Sequence, residues 1–174
     1  DTEREYISIH LDFSSDHLKK IGNNAQRTLM VATEALDLAI NKKKQVIIFC
    51  PSKDNSEILA FYLETRGCKA VSITGETNNK FRQESIEAFK QGKINVLTNF
   101  GVLTTGFDSP NIDAVIVARP TFSLVLYSQM IGRGLRGPLM GGSKKPCELV
   151  NVEDNVLNLP KIDQAFTFYD KYFK

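Results

Sequence analysis

The sequence predicts an α/β fold built on a mainly parallel sheet. A continuous apolar run at 46–50 is typical of a strand that is covered on both faces. Further strands are predicted at 70–73, 94–98 and 112–117, which alternate with stretches of helical periodicity, and a last strand is predicted at 147–152. Strands and helices that alternate with short connections favour a parallel sheet flanked by helices.

The first part of the chain, residues 1–42, is predicted to be a helical preamble or linker that packs on the following lobe or leads into it. Ser14 or Ser15 could cap a short helix, and Asn23 or Asn24 could cap a longer one. The longer helix is expected to bury an apolar stripe consisting of Leu29, Ala32, Ala35, Leu36, Ala39 and Ile40.

Cap and stop residues also mark the helices between the strands. Ser52 is the expected cap of the helix after the first strand, and Gly67 is its expected stop. Asn78 or Asn79 could begin the next helix, and Ser123 the one after the fourth strand. The expected inward residues of the first of these helices are Ile58, Leu59, Tyr62 and Leu63, and the second is expected to run through Phe81, Ile86 and Phe89 to Gly92.

The composition is ordinary for a globular protein of one domain. The chain has 174 residues, of which 42% are hydrophobic and 24% charged. Its net charge of +2 is too small to indicate nucleic-acid binding through a global field, so such binding would need local patches. The three cysteines lack paired spacing, which predicts reduced thiols and a cytoplasmic protein. We expect no metal site among the histidines and cysteines, and no membrane-spanning segment.

The strongest functional pattern is the segment Gln129–Gly137. Gln129, Arg133 and Arg136 are spaced i, i+4 and i+7, so on a helix and its end they share one face. Two guanidiniums and an amide on one face suit polyphosphate oxygens. The glycines also spell G-x-G-x-x-G, but a helix precedes them and Pro138 follows, which excludes the dinucleotide-binding interpretation. Considered alone, the two arginines could equally be surface salt-bridge partners.

A second candidate region is the loop 98–110, which follows the third strand. Thr98 and Thr104 could donate their hydroxyls to phosphates, and Gly106 permits a sharp turn. Asp108 could accept from ribose hydroxyls or hold an arginine. One at a time, these residues are more simply explained by strand, cap or turn preferences.

Further candidate contacts for a phosphate backbone follow the first two strands. Ser52 and Lys53 open a helix, whose free N–H groups and dipole attract phosphate. Thr74 and Gly75 follow the second strand, and Arg82 lies on the next helix. Alone, Ser52 is better explained as a cap and Arg82 as a solvated charge. In a parallel sheet, however, the loops after the first, third and fourth strands all open on the same edge.

These motifs together resemble those of superfamily 2 helicases of the DEAD/DEAH type. Gln129–Arg136 resembles motif VI, Thr98–Pro110 resembles motif V, and Val46–Ser52 resembles motif IV. The resemblance covers about residues 45–155. It implies that residues 43–174 form the second, RecA-like lobe, a three-layer sandwich. Motifs V and VI are more similar to those of bacterial DNA-repair and restriction-type helicases than to those of DEAD-box RNA helicases.

The resemblance also implies roles for single residues. Arg133 and Arg136 would be catalytic arginine fingers that reach the γ-phosphate of ATP, and Gln129 would help to position the site. The residues expected next to the nucleotide are Gly106, Asp108 and Gly132. The residues expected on the nucleic-acid backbone are Ser52, Lys53, Thr74, Gly75, Arg82, Thr98 and Thr104.

A helicase motor also needs a Walker A loop and a Walker B acid, and the sequence contains neither. ATP and Mg²⁺ are therefore expected to be held mainly by a first RecA-like lobe, upstream on the same polypeptide. The chain alone is expected to be inactive. The predicted function is the second motor lobe of an ATP-dependent DNA helicase or translocase. The alternatives are an RNA helicase lobe and a non-catalytic module that binds nucleic acid or protein.

Overall fold

The computed structural model of the chain describes residues 12–103, 112–132 and 146–153. The described helices are α1 (Ser15–Gly22), α2 (Ala25–Leu36), α3 (Lys53–Thr65), α4 (Asn79–Lys90) and α5 (Leu124–Ile131). The described strands are β1 (Val46–Phe49), β2 (Ala70–Thr74), β3 (Val96–Phe100), β4 (Ala114–Val117) and β5 (Glu148–Asn151). Within these ranges no helix is both long enough and apolar enough to cross a membrane.

The strands form one parallel sheet in the order β2-β3-β1-β4-β5. In the central register, Ile48 of β1 lies between Thr98 of β3 and Ile116 of β4. This confirms the predicted α/β class and the parallel sheet. β3 begins and ends two residues later than predicted, and β4 begins two residues later.

Alternate residues of the central strands face two separate hydrophobic clusters. Val46 and Ile48 belong to the cluster that is covered by α2 and α3, whereas Ile47 and Phe49 belong to the one covered by α4 and α5. Three layers therefore form, with helices on both faces of the sheet. Cys50, directly after β1, is buried, and this burial raises the pKa of its thiol to about 12.

The predicted caps are confirmed at five helix starts. The side-chain oxygen of each cap accepts a hydrogen bond from a backbone N–H in the first turn of its helix, which satisfies a donor that the helix itself leaves free. The caps are Ser14, Asn24, Ser52, Asn78 and Ser123.

Three of the predicted inward side chains are exposed instead. Leu29 is 52% exposed and Ile40 44%, while Val31 and Leu38 of the same helical segment are buried. The predicted stripe of α2 is nevertheless confirmed for its other members, because Ala32, Ala35 and Ala39 are buried and Leu36 packs against the same core. Leu29 and Ile40 lie outside the buried face, since the helix has apolar residues on more than one side. The third exposed residue is Ile58, at 57%.

The end of α2 also differs from a regular helix. Asp37–Asn41 continues it as a π-helical turn, in which Lys42 N–H donates to Asp37 O at 3.0 Å. Lys43 then takes a φ of 53°, in the left-handed region that non-glycine residues seldom adopt. This residue redirects the chain into β1.

The strand order places a switch point between β1 and β4. The chain leaves β1 through α3 toward β2 on one side, and it leaves β4 through α5 toward β5 on the other. The two helices lie on opposite faces of the sheet. In open α/β sheets, ligands bind outside the carboxyl ends of strands at such a point.

Candidate nucleotide and nucleic-acid interface

The carboxyl ends of the parallel strands meet at one edge of the sheet, as the sequence predicts. Side-chain contacts join the loops there. Lys53, after β1, pairs with Glu76, after β2. Arg119, after β4, lies over the Phe100 ring at the end of β3, with 5.8 Å from its guanidinium carbon to the ring centroid.

Ser52 caps α3 under the end of α1. Its Oγ accepts from Asn55 N–H at 3.2 Å, and the residue is 5% exposed. Gly22 lies directly above it, because a Cβ added at Gly22 would come within 2.7 Å of Ser52 Oγ. The hydroxyl is therefore used inside the fold, and in this conformation it is not offered to a phosphate.

Lys53 is the cation of this helix start, and its side chain reaches solvent. Its side chain is 37% exposed and pairs with the carboxylates of Glu76 and, at 4.0 Å, Glu57. The hydrogen bond to Glu76 raises the pKa of Lys53. A phosphate at this position would compete with Glu76.

The loop after β2 is closed by Arg82. Its Nη2 donates to Thr74 O at 2.9 Å and to Thr77 O at 3.4 Å. Thr74 is 3% exposed, and its N–H donates to Thr77 Oγ1 at 2.8 Å. Arg82 thus holds the loop from inside, while Gly75 at its tip is exposed.

Thr98 lies in the core rather than on the surface. It is 0% exposed, and its Oγ1 donates to Ser56 O at 2.8 Å and accepts from Ser56 Oγ at 3.0 Å. Ser56 Oγ is also 2.7 Å from Ser72 Oγ of β2. The three hydroxyls join α3, β2 and β3, so the predicted phosphate contact of Thr98 is not available in this conformation.

The helix α5 carries the first part of the arginine motif. Ser123 Oγ accepts from Leu126 N–H at 3.2 Å at its start, and Gly132 N–H donates to Ser128 O at 2.9 Å at its end. Gln129 and Gly132 are partly exposed. A Cβ added at Gly132 would lie 2.8 Å from Ser128 O, which is too close for a side chain at this position without a shift of the backbone.

Five predicted site residues lie outside the described residues: Thr104, Gly106, Asp108, Arg133 and Arg136. In the ranges that the structure describes, no group of three or more histidine, cysteine or acidic residues could hold a metal ion.

Sequence reasoning missed the polar residues that hold the edge together. Asn55 Nδ2 donates to Gly22 O at 2.8 Å and to Thr28 Oγ1 at 2.9 Å, and Asn55 is 4% exposed. Asn55 and Ser56 share a helix face with the buried Leu59, so the spacing could have indicated buried polar side chains. No sequence pattern indicates the hydrogen bond of Arg27, because its acceptor, Ala118 O, lies 91 residues away along the chain.

The family model described as the helicase conserved C-terminal domain matches residues 28–137. The chain belongs to the helicase C-terminal domain family. The match includes β1 to β4, α5 and the segment with Arg133 and Arg136.

Two yeast proteins are similar to the chain. "Putative ATP-dependent helicase IRC3" of Saccharomyces cerevisiae is 36% identical over 108 residues, which are 62% of this chain and 15% of that protein. "Putative mitochondrial ATP-dependent helicase irc3" of Schizosaccharomyces pombe is 34% identical over 141 residues, which are 81% of this chain and 23% of that protein. The chain therefore spans less than a quarter of the length of these relatives.

Solved helicase lobes share the fold. The C-terminal part of the Fun30 ATPase domain superimposes with a TM-score of 0.66 at 20% identity, over 82% of this chain and 47% of that chain. The C-terminal domain of the DEAD-box protein Dbp5 gives a TM-score of 0.61 at 22% identity, over 87% of this chain and 80% of that one. The fold of the helicase C-terminal domain is therefore the RecA-like sandwich that the motifs imply.

Proposed function

We propose that this helicase C-terminal domain is the second motor lobe of an ATP-dependent DNA helicase or translocase. The observation that carries the proposal is the family match over residues 28–137, which contains both Arg133 and Arg136. The parallel sheet adds a reason, because it gathers the loops that precede these arginines at one edge. A first RecA-like lobe, upstream on the same polypeptide, would complete the site.

In this proposal Arg133 and Arg136 reach across to the γ-phosphate held by the first lobe. An arginine finger of this kind contributes about 10³–10⁵ in rate by stabilising charge on the transferred phosphoryl group. Gln129 would help to position the site, and Gly132 would let the backbone pass close to the nucleotide. The end of α5 fits this role, since both residues are partly exposed there.

ATP with Mg²⁺ supplies the phosphoryl group whose hydrolysis drives such a motor. On this chain, Gly106 and Asp108 are the further residues proposed to lie beside the nucleotide. The isolated chain should turn over ATP negligibly, since the phosphate-cradling residues are assigned to the other lobe.

The nucleic-acid backbone would lie along the carboxyl edge of the sheet. Lys53 and Gly75 are the best-placed contacts, since both are partly or fully exposed. Thr104 remains a proposed contact in the same loop cluster. Ser52, Thr74, Arg82 and Thr98 support this surface from inside, through the bonds described above. Backbone contacts of this kind give little sequence specificity and a clear dependence on salt.

RNA is the second candidate track. "DEAD-box ATP-dependent RNA helicase 35A" of Oryza sativa is 35% identical over 88 residues of this chain. Motifs V and VI are more similar to those of bacterial DNA-repair and restriction-type helicases than to those of DEAD-box RNA helicases, so DNA is proposed first. A non-catalytic binding module is a candidate of a different class. It is proposed last, because such a module would not need the pair Arg133 and Arg136. A cytoplasmic location stays a prediction from the reduced thiols.

The test is the ATPase rate of the full-length protein with single-stranded DNA, duplex DNA and RNA, beside an Arg136→Ala variant. Stimulation by one nucleic acid, and a loss of about 10³ or more in the variant, is the expected result. Lys80→Ala, which removes an exposed lysine on α4, is the control for a change of charge alone. Absent turnover, or turnover unaffected by Arg136→Ala, would favour the binding module.

A further inference from the structure

Asp12 binds the loop between β4 and α5 through both of its carboxylate oxygens. Its Oδ1 accepts from Thr121 Oγ1 at 2.9 Å and from Phe122 N–H at 3.2 Å. Its Oδ2 accepts from Arg119 Nη2 at 3.2 Å, in an ion pair whose side chains are 18% and 23% exposed. One carboxylate thus accepts from three donors of the six-residue connection 118–123, more than 100 positions along the chain.

Two neighbouring contacts add to this attachment. Phe13 is 7% exposed and stacks on Phe122, with 4.7 Å between the ring centroids. Arg27, near the start of α2, donates from Nη2 to Ala118 O at 2.7 Å. The N-terminal helices are therefore fixed to the β4–α5 connection at several points.

The hydrogen bonds continue from Asp12 into α5. Thr121 Oγ1, which donates to Asp12, accepts from Ser123 N–H at 3.0 Å. Ser123 in turn caps the first turn by accepting from Leu126 N–H at 3.2 Å. The first turn of the helix that carries Gln129 is thus oriented through a chain of three side chains.

This attachment occupies the switch point between β1 and β4. Arg27 binds the residue after β4, and Gly22 covers Ser52 at the start of α3, after β1. Residues of the N-terminal helices thus contact the segments that follow β1 and β4, on either side of this point. The N-terminal segment is thereby in a position to influence both loops.

We propose that Asp12 is a positioning residue that sets the orientation of α5, and with it the approach of the arginines that follow this helix in sequence. The effect on ATP hydrolysis rests on the function proposed above. Asp12 touches no reacting atom in this scheme. It acts through Thr121 and Ser123, and its loss would loosen the start of α5 while leaving the cores on both faces of the sheet intact.

The experiment compares Asp12→Ala and Asp12→Glu with Asp16→Asn. Asp16 is an exposed carboxylate in the first turn of α1, four residues from Asp12, so its variant controls for a weakened α1. Amide hydrogen exchange of α5 is measured on the chain. The kcat and the KM for ATP are measured on the full-length protein with the nucleic acid that stimulates it.

We expect Asp12→Ala to speed exchange in the first turns of α5 by about tenfold or more, because the opening of that turn costs less free energy. The kcat should fall by about ten- to a hundredfold, as for a misplacement of about 1 Å, while the KM for ATP changes less than about threefold. Asp12→Glu should restore part of the slow exchange in α5 and part of the kcat, and Asp16→Asn should change neither of these two quantities.

Unchanged exchange in α5 together with unchanged kcat in Asp12→Ala would overturn the proposal, as would an equal loss in Asp16→Asn. If the wild-type protein hydrolyses no ATP with any nucleic acid, the proposed function fails by itself. The exchange comparison then still decides the positioning role, since it needs no turnover, and unchanged α5 exchange would overturn it.

Discussion

Thr98 illustrates how a residue that a sequence motif assigns to function can instead make only structural contacts in the folded chain. The sequence predicts that Thr98 ends its strand, which is a good position for a phosphate donor, but β3 extends to Phe100 and Thr98 is its middle residue. The contact that decides its use is with Ser56, 42 residues away, and no local pattern predicts that contact. Because the hydroxyl is fully buried, leaving its partners unsatisfied would cost free energy of folding.

Thr98→Val removes this hydroxyl and keeps the shape of the side chain. We expect the free energy of unfolding to fall by about 1–3 kcal/mol, since two buried hydrogen bonds between Thr98 and Ser56 are lost and only the contact of Ser56 Oγ with Ser72 Oγ remains. Affinity for nucleic acid should change less than about twofold. Urea unfolding and fluorescence anisotropy measure the two quantities.

Thr65→Val is the matched control, because the Thr65 hydroxyl is exposed and bonds Tyr62 O of its own helix. We expect it to cost less than about 0.5 kcal/mol. If Thr98→Val is as stable as the wild type but binds nucleic acid more weakly, Thr98 is a direct phosphate contact.

At the scale of single elements, the sequence predicts where helices begin better than which face they bury. A cap such as Ser52 or Asn24 forms its hydrogen bond within three residues, so local chemistry decides it. The buried face depends on packing partners elsewhere in the chain. In α3, Ile58 and Leu59 are equally apolar, yet only Leu59 faces the sheet. The five strands predicted at 46–50, 70–73, 94–98, 112–117 and 147–152 are found in the described part of the chain within two residues of their predicted bounds, because short apolar stretches are a local property of the sequence.

The loop after β2 and the start of α3 form one charged surface through Lys53 and Glu76. Glu76→Gln removes the carboxylate that competes for this lysine. We expect affinity for nucleic acid to rise, but by no more than about fivefold, because an exposed ion pair is worth about 0–1 kcal/mol. The gain should shrink at high salt, where both interactions are screened.

Glu57→Gln provides the comparison, since this carboxylate is 4.0 Å from the same ammonium and lies on α3 itself. Its effect on affinity should be the smaller of the two. Anisotropy titrations at low and high salt measure both variants. If Glu76→Gln weakens binding, the carboxylate supports Lys53 as a positioning partner and does not compete with phosphate.

At the scale of the whole molecule, the N-terminal helices share a core with the sheet. The sequence separates residues 1–42 from 43–174, and that boundary stays a prediction. In the structure, Val31, Ala32 and Leu38 belong to the same hydrophobic cluster as Val46 and Ile48. Apolar residues that pack on both sides of a boundary make the two parts depend on each other for stability.

Leu38→Ala tests this dependence against Leu29→Ala in the preceding helical turns. Leu38 is fully buried, so its truncation should cost about 2–5 kcal/mol of the free energy of unfolding, from lost transfer energy and a residual cavity. Leu29 is 52% exposed, and its truncation should cost less than about 0.5 kcal/mol. A chain of residues 43–174 should lose the cooperative urea transition altogether, because the face of the sheet that α2 covers would be open to water. Equal effects of the two leucine variants, or a cooperative transition in 43–174 with the midpoint of the full chain, would show that the lobe is complete without its N-terminal helices.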